Sequence, residues 1–79
     1  MNAAEAQEVK NLLLQGNESY RQLVEQHSLL DRRLHELTDK HYLSSHEQYE
    51  ETTLKKQKLA LKDRMEQIAR EFAHRQSHS

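Results

Sequence analysis

The histidines are the residues whose types and spacing come closest to supporting chemistry in this chain. His27 and Asp31 stand four residues apart, so on a helix an imidazole and a carboxylate can meet on one face. Such a pair can act as an oriented base, but two packed helices enclose no pocket to hold a substrate. We interpret the pair as a polar contact at the edge of a helix–helix seam, and we expect no catalytic residue.

A second pair, His74 and His78, has the spacing of two metal ligands on one helix turn. Zinc sites in proteins use at least three protein ligands, and no third ligand lies near this pair in the sequence. We therefore predict a solvated tail at residues 76–79, with no metal and no cofactor. The remaining histidines do not have the spacing of metal ligands: His35, His41 and His46.

A dense basic run forms the most informative stretch of the sequence. It places Leu54 and Leu61 one heptad apart among lysines at 55, 56, 58 and 62, with Arg64 just beyond. The leucines predict an amphipathic helix whose apolar edge meets another helix. The cations leave three interpretations open: a solvated face, a site for an acidic protein, or a nucleic-acid site. We expect nucleic-acid binding least, because no aromatic side chains accompany the cations.

Composition limits the classes of protein that fit. The chain has 79 residues, 34% of them hydrophobic and 32% charged, with a net charge of −1. One glycine, no proline and no cysteine, together with many strong helix formers, predict a single all-α domain. The acidic start of the chain lacks the apolar core of a secretory signal. The run Leu12–Leu14 is far too short to span a membrane, so we expect a cytoplasmic protein.

The apolar spacing predicts three helical segments. The first covers residues 1–16, and Gly16-Asn17 offers a C-cap followed by an N-cap, although the heptad phase runs through this point without a shift. The second helix covers about residues 18–41, and its seam residues alternate spacings of three and four: Tyr20, Leu23, His27, Leu30, Leu34, Leu37 and His41. The third covers about residues 45–74, within a hairpin region of 17–75.

No glycine or proline separates the second helix from the third. The two could therefore be joined by a turn or form one continuous helical rod. Ser44-x-x-Glu47 and Ser45-x-x-Gln48 both fit a capping box, and the seam has a gap before Leu54. We therefore predict an antiparallel two-helix hairpin, coiled-coil-like, preceded by a short N-terminal helix. Its tip lies at residues 42–45, and residues whose numbers add up to about 88 face each other.

This register has two consequences for the candidate site. It places Lys58 opposite Asp31, and we expect this pair to set the register. It also places Leu29 beside Leu59, both off the main stripe, in one apolar patch that either the N-terminal segment, with Leu12 and Leu13, or a second copy covers. The full candidate interaction patch is Leu29, Leu59, Lys55, Lys56 and Lys62.

The two elements His27-Ser-Leu-Leu30-Asp31 and Leu54-Lys-Lys-Gln-Lys-Leu-Ala-Leu-Lys-Asp63 resemble the YdcH-like family of short bacterial proteins. Its members pair "H-x-x-L-D" with "L-K-K-x-K-L-x-L-K-D". The sequence departs from the usual pattern at Glu18, where a proline is common, and at Arg64, where an acid is common. The resemblance implies a small helical hairpin and a cytoplasmic bacterial protein, but no established activity.

From these observations we expect a small non-catalytic interaction or adaptor protein that self-associates. Its partners would be a second copy or another helical protein, with no small-molecule substrate and no membrane. The alternative is a nucleic-acid accessory protein that uses the basic patch Lys55–Arg64. Steep weakening of binding with salt would mark this alternative.

Overall fold

Three α-helices make up the chain. The computed structural model describes residues 2–77, and no strand occurs in that range, which confirms the all-α class. The helices are α1 (Ala3–Gly16), α2 (Glu18–Thr38) and α3 (Ser45–Ser77).

Two predicted boundaries are wrong by a few residues. Helix α2 ends at Thr38 rather than at His41, which leaves His41 exposed in the connection and outside the seam. The Thr38 hydroxyl donates to the Leu34 carbonyl at 2.8 Å, a local bond that competes with continuation of the helix. Helix α3 runs past the predicted end at residue 74, so residues 76 and 77 are helical, whereas residues 78 and 79 lie outside the described range.

A single residue, Asn17, separates α1 from α2. Its backbone is extended, with φ −124° and ψ 106°, and its side-chain oxygen accepts a hydrogen bond from the Tyr20 amide at 2.8 Å. Its own amide donates to the Leu13 carbonyl at 2.8 Å. Asn17 therefore caps both helices. Gly16 has no positive φ and stays in α1, so the predicted break is confirmed but does not depend on the glycine.

The connection between α2 and α3 covers residues 39–44 and ends in a capping box. The Ser44 hydroxyl accepts from the Glu47 amide at 3.2 Å, and the Glu47 carboxylate accepts from the Ser44 amide at 3.1 Å. This reciprocal pair satisfies two amides that no helical carbonyl can reach. The box starts α3 at Ser45, and the alternative of one continuous rod is wrong.

The largest contact in the molecule is between α2 and α3. The buried apolar side chains lie at the two ends of the molecule: Val9, Leu13 and Tyr20 at the α1 end, and Leu34 and Leu37 near the connection. In the middle, Leu23, Leu30 and Leu61 are only partly buried. The molecule measures 53 × 19 × 19 Å, so the elongated pair has a weakly covered centre.

Helix α1 packs against the far end of α2 and α3. Val9 and Leu13 form a buried cluster with Tyr20, and partly buried residues of α2 and α3 complete it, among them Val24, Met65, Ile68 and Phe72. Burial in this cluster raises the pKa of the Tyr20 hydroxyl. Leu29 and Leu59 remain 57% and 60% exposed. Of the two alternatives for covering these leucines, coverage by the N-terminal segment is therefore wrong, because the apolar side chains Val9 and Leu13 of α1 are used in the buried cluster.

Leu37 offers a direct test of where the core lies, since its side chain is 0% exposed. We expect Leu37→Ala to lower the free energy of unfolding by about 2–5 kcal/mol, through lost burial and the cavity left behind. Urea denaturation at fixed protein concentration measures the change. The matched control Leu59→Ala truncates an exposed leucine of α3 and should change it by about 0.5 kcal/mol or less. Equal losses in both variants would contradict this placement of the core.

Candidate interaction surfaces

Asp31 and Lys58 meet across the helix pair. The Lys58 ammonium donates to the Asp31 carboxylate, and the two side chains are 34% and 37% exposed. This hydrogen bond, aided by the charge of Lys58, lowers the pKa of Asp31 despite some desolvation. The structure therefore brings together the two residues that the sequence placed opposite each other. Their role in setting the register stays a prediction.

The histidine in contact with Asp31 is His35 rather than His27. The His35 Nδ1 atom lies 3.7 Å from the Asp31 carboxylate and 2.9 Å from the Asp31 carbonyl oxygen. His27 makes no such contact and only adds a weaker electrostatic lowering of the Asp31 pKa. Both histidines stand four residues from Asp31, so spacing alone could not choose between them.

Arg33 forms a second link, which the sequence reasoning missed. Its guanidinium donates to both carboxylate oxygens of Glu50, at 3.1 and 2.7 Å, and to Glu36 at 3.0 Å. These bonds raise the pKa of Arg33 and lower that of Glu50. The bidentate geometry is the strong form of such a pair. The predicted register does not place Arg33 opposite Glu50, because their numbers do not add up to about 88. The arginine side chain is long enough to reach Glu50 from a different height along the pair.

A third ion pair joins the connection between α2 and α3 to the first turn of α3. The Lys40 ammonium donates to the Glu47 carboxylate, whose side chain is 19% exposed. That hydrogen bond, together with the donation from the Ser44 amide, lowers the pKa of Glu47 to about 2. Glu47 thus serves both the helix cap and the pairing of the connection with α3. The capping motif was readable from the sequence, whereas the lysine partner was not.

Two open grooves follow the contact between α2 and α3. We call the first the Leu59 groove; its lining comes from both helices and includes Asp31, Leu34, His35, Thr38, Lys55, Lys58, Leu59 and Lys62. We call the second the Leu29 groove; its lining is largely apolar and includes Leu23, Gln26, Leu29, Leu30, Gln57, Ala60, Leu61 and Arg64. The only residue in this second lining that carries a full charge at neutral pH is Arg64.

The prediction that Leu29 and Leu59 form one patch is wrong, because each leucine lines a different groove. The predicted register concerns only the height of the two leucines along the pair. It does not give the side, since successive residues of a helix are rotated by about 100°. Leu29 lies on the side of α2 that faces the Leu29 groove, and Leu59 lies on the side of α3 that faces the Leu59 groove.

The basic run is divided by the same geometry. Lys55, Lys58 and Lys62 line the Leu59 groove, whereas Arg64 lies in the Leu29 groove and donates to Gln67 at 3.4 Å. Lys56 is exposed and lies outside both grooves. The run that is continuous in sequence is therefore not one continuous patch on the surface.

Two further predictions concern metals and membranes. Within residues 2–77, no group of three histidine, cysteine, aspartate or glutamate side chains is placed to hold a metal ion. His78, the second residue of the candidate histidine pair, lies outside the described residues. No helix in the part of the chain described here has the length and apolar character to cross a membrane.

Comparison with known proteins identifies one related family. The model of a family described as "Protein of unknown function (DUF465)" matches residues 21–69, which include both elements of the sequence resemblance and the residues that line the Leu29 groove. Neither the curated proteins nor the solved structures yielded a match to the chain.

The three carboxylates with lowered pKa values predict how stability depends on pH. Glu47, with a pKa of about 2 instead of 4.5, binds protons more readily when the chain is unfolded. Its stabilising effect is therefore complete above about pH 5 and is lost as the pH falls toward 2. Asp31 and Glu50 act in the same direction. We expect urea midpoints to fall across this window.

The variant Glu47→Gln isolates the contribution of the Glu47 carboxylate to the pH dependence of stability. It should be less stable than the parent protein at pH 7, and the difference should shrink as the pH approaches 2. Glu66→Gln is the matched control, because Glu66 is exposed in α3. An identical pH profile for the parent and the Glu47→Gln variant would contradict the assignment.

Proposed function

Because the chain belongs to the DUF465 family of proteins of unknown function, the YdcH-like proteins, we propose its role from its own surfaces: a small, non-catalytic helical interaction or adaptor protein that binds a second copy of itself. We place it in the cytoplasm, as the family resemblance implies. The proposed unit is an antiparallel hairpin of α2 and α3, with α1 folded against its open end.

Two ion pairs between α2 and α3, and a third between the connection and α3, support the hairpin. Lys40 pairs with Glu47 beside the connection, Arg33 pairs with Glu50 farther from it, and Asp31 pairs with Lys58 farther still. Moving away from the connection along α2 therefore also means moving away from it along α3. Helices joined by a short connection that pair in this order run in opposite directions.

The use of the polar side chains supports a non-catalytic role. The charged groups between the helices are paired with each other: Asp31 with Lys58, and Arg33 with Glu50. The lowered carboxylate pKa values follow from these pairs, so their perturbation has a structural cause. Both grooves are open surface features along the helices, and binding to such features is typical of helix-in-groove recognition.

The Leu29 groove carries the proposal of self-association. It runs along the middle of the pair, where Leu23, Leu30 and Leu61 are only partly buried and Leu29 is 57% exposed. Exposed apolar surface of this kind marks interaction sites on small proteins. A second copy laid over this groove would complete the burial that α2 and α3 leave unfinished.

A second copy is the occupant that fits this groove best. In a two-fold symmetric interface the same patch meets itself, so like charges near the axis repel, and this groove has only Arg64 as a charged residue. The projecting Leu29 and the small Ala60 line the same groove, and both are exposed. Leu29 of each copy can therefore pack into the space beside Ala60 of the other.

The size of the face is sufficient for such a dimer. A standard interface buries about 800 Å² on each partner, and the whole molecule is 53 Å long and 19 Å wide, so the interface would extend along the helix pair beyond the eight residues that line the groove. The product would be a four-helix bundle, in which helices cross at about 20°.

The alternative function, a nucleic-acid accessory protein that uses Lys55–Arg64, receives less support. A nucleic-acid site needs cations that follow the phosphate backbone together along one surface. Here Lys55 and Lys62 lie along one groove and Arg64 along the other. Strong binding of the parent protein to duplex or single-stranded DNA at 150 mM salt would nevertheless favour this alternative.

Sedimentation equilibrium tests the proposed dimer. We expect the intact protein to be dimeric at high micromolar concentration and Leu29→Glu to be monomeric, because the variant removes the apolar side chain that fills the interface and puts a charged carboxylate in its place, which costs free energy to desolvate. The matched control, Leu59→Glu, places the same charge in the other groove and should remain dimeric. A monomeric parent protein, or a monomeric Leu59→Glu variant alongside a dimeric Leu29→Glu variant, would overturn the proposal.

A further inference from the structure

The Leu59 groove has a different chemistry from the Leu29 groove. It continues into a groove beside α1, because Lys58 and Lys62 line both. The second part adds Lys10 and His27 to the lining. Together the two grooves form one surface, which we call the basic face, and it extends over parts of α1, α2 and α3.

This face carries an excess of positive charge although the whole chain has a net charge of −1. The lining contains four lysines, Lys10, Lys55, Lys58 and Lys62, against two carboxylates, Asp31 and Glu66. Lys58 is engaged with Asp31, and Lys55 lies 3.4 Å from the carboxylate of Glu51, a neighbour on α3. Among residues 2–77, neither Lys10 nor Lys62 has an ion-pair partner.

The basic face also has an apolar centre. Leu59 is 60% exposed in the middle of the groove, and Leu34, at 7% exposure, forms part of its floor. Lys55 and Lys62 lie four residues before and three residues after Leu59 on α3, which places them near Leu59 one turn to either side. An exposed leucine framed by cations is complementary to a helix with an apolar stripe and acidic flanks.

We propose that the basic face binds an acidic amphipathic helix of a different protein. The incoming helix packs its apolar side chains on Leu59, and its carboxylates pair with Lys55, Lys62 and Lys10. This is the helix-in-groove mode of recognition, in which apolar anchors supply affinity and charge complementarity supplies specificity and fast association. With the other groove occupied by a second copy, each copy presents its basic face outward, so the dimer binds two such helices.

The same observations favour a protein helix over a nucleic acid. Single-stranded nucleic acids bind to exposed aromatic side chains on which bases stack. Tyr20, the aromatic residue in the lining of the basic face, is 2% exposed and belongs to the buried cluster. An exposed leucine in the centre of the face has no counterpart on a phosphate backbone.

Fluorescence anisotropy with synthetic helices tests the proposal on the intact protein. The probe is a labelled peptide of about 18 residues, or five helical turns, with leucines along one face and glutamates elsewhere. A charge-reversed peptide with lysines in place of the glutamates and a random single-stranded oligonucleotide serve as comparisons. We expect the acidic peptide to bind at least about tenfold more tightly than either, with weaker binding at high salt.

Matched variants locate the site. We expect Lys62→Glu and Leu59→Ser each to weaken binding of the acidic peptide by about tenfold. Lys56→Glu makes the same charge change outside the basic face, and Leu12→Ser makes the same truncation at an exposed leucine of α1 that lines neither groove; neither should change binding by more than about twofold. Circular dichroism confirms that each variant keeps its helix content.

Three outcomes would overturn the proposal. The first is equal binding of the acidic and basic peptides, and the second is tighter binding of the oligonucleotide. The third is loss of binding in Leu12→Ser but not in Leu59→Ser. The proposal does not rest on self-association, because sedimentation of the same variants reports the oligomeric state independently.

Discussion

The structure depends on the contact between α2 and α3, which has few apolar side chains to bury. A chain of this length with 34% hydrophobic residues can form only a small core. Its buried apolar side chains lie at the two ends, where α1 adds Val9 and Leu13 at one end and the connection follows Leu37 at the other. Each helix presents one apolar stripe, so residues just off the stripe remain available to other molecules.

Charged side chains complement the leucine stripe in defining how the helices align. Leucines that recur every three or four residues can pack almost equally well after a slip of one helical turn. Such a slip would separate Asp31 from Lys58 and Lys40 from Glu47. Exposed ion pairs contribute little to overall stability. In a slipped alignment, however, these charged side chains would lose their partners, which raises the free energy of that alignment relative to the native one. We therefore expect their main physical effect to be the selection of one register among several of similar apolar burial.

The same alignment gives the molecule two unlike faces. The Leu29 groove is nearly free of charge and so suits a partner with the same surface, whereas the basic face suits a partner of opposite charge. Helix α1 contributes to this division, since Lys10 extends the basic face while Leu13 packs into the buried cluster.

The sequence by itself determined the features that depend on near neighbours in the chain. The all-α class follows from composition, the break at Asn17 from its capping side chain, and the start of α3 from Ser44 and Glu47. Even the height of Asp31 relative to Lys58 followed from the apolar spacing. Each of these rests on interactions within a few residues or on a repeated period, which a sequence displays directly.

Only the tertiary structure decided which residues share a face. Leu29 and Leu59, which the sequence placed side by side, line different grooves, and Arg64 and Lys62 do so as well although they are only two residues apart in sequence. Likewise, His35 rather than His27 contacts Asp31, and α1 packs against the half of the pair far from the connection, where it leaves Leu29 and Leu59 exposed. These outcomes depend on how two helices are rotated about their axes when they pack. A rotation of about 100° per residue means that small differences in that packing send a flanking side chain to one side or the other.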